Sequence, residues 1–181
     1  MKPTDRENDS AFQDALRGLE RGDFSRLAPL FEAGSGAATH RPRILLWVEG
    51  GRFAGATKAL AEALTCACFL GRTDVAGRLL ASGIDPAAGD GTGLNAFHWA
   101  ANRGQLEAVR LLIAHKAPLE TRSMYDQTVL GTAVWSAIHE PRPNQFQIIE
   151  ELFLAGARLE EAGYPTGHQE VDALLRRLGA T

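Results

Sequence analysis

A shift of the chain by 33 residues lays apolar positions on apolar positions, and this period constrains the fold more than any other feature of the 181 residues. Leu64 falls on Phe97, Ala67 on Ala100, Gly71 on Gly104, and the pair Leu79 and Leu80 on Leu112 and Ile113. The same shift carries Asn95 to Thr128, Phe97 to Leu130 and Ala100 to Ala133. Beyond that point the register slips. Leu112, Ile113 and Leu119 return at Leu152, Phe153 and Leu159, 40 residues on, and the seven extra residues fall around HEPRPN at 139–144, where proline lengthens a turn. A unit of this size cannot bury its own apolar face, so units must stack on their neighbours and the ends must be capped.

Each unit divides into a helix of small residues such as AFHWAANRG, a second apolar helix such as LEAVRLLIAHK, and a turn-rich return such as GIDPAAGDGTG. The expected fold class is therefore all-α, a solenoid of about four helix-turn-helix units in one domain spanning 1–181. Gly22, Leu30, Phe31 and Gly34 match Gly71, Leu79, Leu80 and Gly83 at a constant offset of 49, which makes 11–34 a degenerate first unit. An insertion over 35–56 follows, containing a short helix that Pro42 opens and Gly50 and Gly51 close. Trp47 and Phe53 within it are expected to cover the first helices as core. Full units are expected over 57–89, 90–122 and 123–162. A capping helix over 167–179 carries Val171, Leu174, Leu175 and Leu178 at helical spacing, with arginines in its last turn.

Charge and composition exclude several function classes. The net charge is -3, and the basic residues are scattered rather than gathered into a stripe, so nucleic acid is not the expected partner. The N-terminal segment MKPTDRENDS is polar, and no apolar run approaches the roughly 20 residues that span a bilayer, so a cytoplasmic protein without membrane contact is expected. Cys66 and Cys68 point in different directions on a helix and cannot easily bridge, and no second pair or histidine cluster completes a metal site. DPAAGDGTG lacks the alternating oxygen ligands of a calcium loop, and GDGTG lacks the lysine of a phosphate loop. No cofactor and no metal are expected, and no nucleophile-base arrangement marks a catalytic centre.

The best-preserved unit, DGTGLNAFHWAANRGQLEAVRLLIAHKAPLETR at 90–122, resembles the ankyrin repeat, whose pattern is roughly D-x-x-G-x-T-P-L-H-x-A-A-x-x-G-x-x-E-x-V-x-L-L-L-x-x-G-A-x-x-N. Asp90, Gly93, His98, Ala100, Ala101, Gly104, Glu107, Val109, Leu111 and Leu112 agree with it. Asn95 and Ala96 replace Thr-Pro, Lys116 replaces a glycine, and Gly131 of the next unit stands where the family has histidine. The resemblance implies that His98 hydrogen-bonds to neighbouring turn backbone. It also implies that turn tips and the outward side of each first helix line a concave face.

On that face the resemblance sets Leu94, Asn102 and Arg103 of one unit beside Arg122, Met124, Tyr125, Gln127 and Trp135 of the next, with Phe69 extending the patch. Exposed aromatic and arginine side chains are where binding energy concentrates. The expected function is a non-catalytic module that presents this surface to a protein partner, as a monomer or weak homo-oligomer. Two alternatives compete. One is a self-associating structural protein, and the other a small hydrolase-like enzyme using His98, His115, His139 or His168 with Glu140 or Glu170.

Overall fold

The computed structural model describes residues 3–33, 41–89 and 91–181, with side chains described from residue 8 onward. Gly34 at the end of the expected first unit, residues 35–40 at the start of the expected 35–56 insertion, and the pattern residue Asp90 lie outside the described residues. The described chain is all-α: α1 (Pro3–Arg21), α2 (Phe24–Phe31), α3 (Arg43–Glu49), α4 (Thr57–Phe69), α5 (Thr73–Ala81), α6 (Ala96–Asn102), α7 (Leu106–Ala114), α8 (Val129–His139), α9 (Gln145–Leu154), a 3-10 turn (Leu159–Ala162) and α10 (Gln169–Leu178). The first helix begins at Pro3, ahead of the boundary expected at residue 11, and proline suits a first helical position because its missing N–H has no intrahelical partner there.

The helices form two layers. α1, α4, α6 and α8 stack side by side as the inner layer, and α2, α5, α7 and α9 follow them outside. Small side chains explain the close inner stacking. Ala59, Ala63 and Ala67 of α4, Ala96, Ala100 and Ala101 of α6, and Ala133 and Ala137 of α8 are all buried. Between the layers lie Leu64, Leu79, Phe97, Leu112, Leu130, Ile149 and Leu152, all fully buried, each worth roughly 1.5–3 kcal/mol by transfer from water. The inner helices start where side-chain caps allow: Asn95 Oδ1 accepts from the N–H of Phe97 and of His98 at 3.0 and 3.1 Å, and Thr128 Oγ1 accepts from Gly131 N–H at 3.2 Å.

The insertions are packed on this stack. α3 lies in the outer layer between α2 and α5, and its Trp47, together with Phe53, meets the Phe12 ring of α1 edge-on, both at 5.2 Å between centroids. Trp47 Nε1 donates to Asn8 Oδ1 at 3.2 Å. The longer turn at 139–144 seats on the preceding unit, where a Cβ added to Gly104 would stand 2.6 Å from the Pro143 carbonyl oxygen. α10 closes the far end against α8 and α9.

Candidate functional site

The return from α5 to α6 leads to Leu94, which lines an open groove. This return runs along α4, with Thr65 Oγ1 donating to the Gly89 carbonyl at 3.1 Å and Gly91 N–H donating to Glu62 Oε1 at 2.6 Å. Thr92 then reaches the end of α1 beside Gly22 and accepts from Trp99 Nε1 at 2.8 Å. The groove has a volume of about 670 Å³.

Seven of the nine candidate residues line that groove: Phe69, Leu94, Asn102, Arg103, Tyr125, Gln127 and Trp135. The sequence reading missed three others, Trp99, Thr132 and Glu140. Trp99 follows the turn histidine at a position the repeat leaves open, so an aromatic there was a usable signal. Glu140 comes from the 139–144 insertion, for which no repeat register exists.

The walls are built from inner helices. Phe69 at the end of α4 and Trp99 of α6 stack edge-on at 5.1 Å, with Phe24 behind them at 5.5 and 6.3 Å. Arg103, just past α6, places its guanidinium 4.7 Å over the Phe69 ring. Opposite, Trp135 projects from α8 at 39% exposure and packs on His139 at 5.0 Å. Tyr125 stands at the next turn tip, 66% exposed.

Three candidates serve the stack as well, or instead. Asn102 is buried and donates from Nδ2 to Ser136 Oγ at 2.8 Å, tying α6 to α8. Arg122 does not line the groove; it pairs with Glu161 at 2.8 Å and donates to the Asp126 carbonyl at 2.7 Å, fastening its turn to the 3-10 turn. Met124 also lies off the groove, its side chain set against Gly93 and its N–H donating to the Gly93 carbonyl at 2.8 Å.

A family profile described as ankyrin repeats, in three copies, matches residues 64–161, more than half of the chain. The chain belongs to the ankyrin-repeat family. Ankyrin repeats are in general protein-protein interaction modules. A comparison with curated proteins found no match.

Within the ankyrin stack the four histidines of the enzyme alternative do not converge. His98 is buried, with Nε2 3.1 Å from the Gln127 carbonyl and Nδ1 2.7 Å from Asn95 Oδ1, the turn contact the resemblance implied. Burial pulls its pKa below the ordinary histidine value, against the opposing pull of the Gln127 and Thr121 backbone. His139 packs on Trp135, His168 caps α10, and His115 follows α7. His168 and Glu170 line a different hollow from Glu140.

The remaining electrostatics sort in the same way. Partial burial lowers the Arg103 pKa, Arg142 nearby adds to that, and Glu140 opposes it. Burial pushes the Cys68 thiol up to about 12, and Cys66 is raised as well, by burial first and then by Cys68 and Glu62. Both cysteines are therefore neutral, buried packing groups. Among the described residues no group of three or more His, Cys, Asp or Glu is arranged to hold a metal ion, and no helix is long and apolar enough to cross a membrane.

Proposed function

We propose that the groove between the ends of α4, α6 and α8 docks a segment of a protein partner, and that the chain has no chemistry of its own. The observation that carries this reading is the gathering of Phe69, Trp99, Tyr125 and Trp135 into the lining of one open groove, with Tyr125 and Trp135 exposed. Large amphipathic rings give contact area at low entropic cost and recur at the centres of interfaces. In this reading the chain works in the cytoplasm, whose reducing conditions suit two free cysteines, and binds as a monomer or weak homo-oligomer.

The test is capture of binding proteins from cell extract by the tagged chain and by a Tyr125→Arg/Trp135→Ala double variant, first shown by circular dichroism and melting to be folded. A partner held by the parent and lost by the folded variant supports the groove. Equal capture by both moves the site elsewhere on the stack, with the 35–56 insertion examined next.

A further inference from the structure

Arg103 is the one basic residue lining the groove, and the nearby Glu140 acts on it without forming an ion pair. Its guanidinium lies over Phe69, and no carboxylate of the described residues stands within ion-pair distance of it. Arg142 brings a second guanidinium to the same end, and Glu140, the one carboxylate in the groove lining, is 3.6 Å from Arg142. Two cations thus face one anion, and this end is locally positive on a chain whose net charge is -3. A guanidinium stacked on a ring keeps its N–H edges free, and that planar fork matches a carboxylate in bidentate fashion. Partial removal from water strengthens the attraction relative to a fully exposed arginine. The same placement argues against a cationic side chain among the rings, because Arg103 already occupies the Phe69 face.

We propose that the groove takes an extended acidic segment of its protein partner, with one carboxylate chelated by Arg103 and a large apolar side chain laid between Trp99 and Trp135. The inference rests on the docking reading above and gives its ligand a chemistry. A groove of about 670 Å³ accommodates one or two such side chains rather than a whole domain edge.

The probe is a random-peptide display library selected on the folded chain, with recovered peptides titrated by fluorescence anisotropy against the parent, Arg103→Gln, Arg103→Glu and Trp135→Ala. All variants are first shown to melt cooperatively. The expected peptides carry Asp or Glu within a few residues of a large apolar side chain. Arg103→Gln should weaken them about tenfold or more, the loss of one charge-assisted hydrogen-bond pair, and added salt should weaken the parent complex. Selection on Arg103→Glu should turn toward Lys- and Arg-bearing peptides.

Peptides that depend on Trp135 but show no acidic bias and ignore Arg103→Gln would sink the acidic inference and leave the docking reading standing. Basic peptides recovered on the parent would overturn it too. Recovery of nothing that responds to either residue would overturn both readings. Sedimentation that shows a dimer abolished by Arg103→Glu would make a second copy of the chain the occupant and refute the partner segment.

Discussion

Alanine at Gly104 tests whether the 139–144 turn is truly seated on the unit before it. Gly104 has φ 71°, in the left-handed region, and so does Gly83 at φ 90°. Alanine costs roughly 1–2 kcal/mol in that region and recovers about 0.4–1 by restricting the unfolded chain, so Gly83→Ala, which meets nothing within 4 Å, should lose about 1 kcal/mol. Gly104→Ala carries the same backbone term and adds a collision, because its Cβ would stand 2.6 Å from the Pro143 oxygen and 3.1 Å from Arg142 Cβ. The turn must retreat by roughly 0.8 Å to reach ordinary contact, and overpacking of this kind adds about 1–3 kcal/mol. At about 2–4 °C per kcal/mol for a chain of this size, Gly83→Ala should lower Tm by about 2–4 °C and Gly104→Ala by roughly 4–16 °C, at least about twice as far in either case. Thermal melts followed by circular dichroism read both. Equal shifts for the two variants would refute the seating of the turn, and with it the placement of Glu140 and Arg142 at the groove's end.

Three further outcomes follow from the buried polar groups. A neutral His98 ring donates from one nitrogen only, so one of its two oxygen contacts, to Gln127 or to Asn95, is unfavourable; Asn95→Thr supplies a hydroxyl that can both cap and donate, and should raise Tm by about 2–4 °C, roughly 1 kcal/mol. Because burial lowers the His98 pKa, the unfolded chain binds a proton more readily, and stability should fall as pH drops through the unfolded value of about 6.5. Denaturant midpoints measured across that range should show the slope in the parent and its loss in His98→Gln. Cys66 and Cys68 should resist a thiol reagent at pH 8 in the folded chain and react fully in guanidinium, since burial holds both as thiols.

Much of the groove was legible because the repeat register labels faces. Tyr125 and Trp135 are exposed large rings at positions the repeat pattern leaves open, and an apolar ring there stands out from the stack's own needs. Other parts were hidden by local exceptions. Gly131 replaces the family's histidine, and a Cβ there would stand 3.1 Å from the Glu161 carbonyl, so the 3-10 turn fills the space the histidine takes elsewhere. Lys116, in place of a glycine, is held at φ 57°, in the left-handed region that disfavours side chains. Neither consequence follows from residue type alone, because each depends on what the next unit brings into contact.

The sequence by itself determined the stack: a 33-residue apolar period can be buried only by parallel packing of successive helix pairs, whatever the details of their turns. Only the tertiary structure decided that Asn102 turns inward to Ser136, that Arg122 is consumed by Glu161, and that Arg103 is left over Phe69 with Glu140 committed to Arg142. Apolar burial follows a linear period, since it depends on which face a residue occupies. Hydrogen bonds and ion pairs depend on separations of a few ångströms between residues 34 to 39 positions apart, as in Asn102 with Ser136 and Arg122 with Glu161, and those distances exist only once the units are stacked.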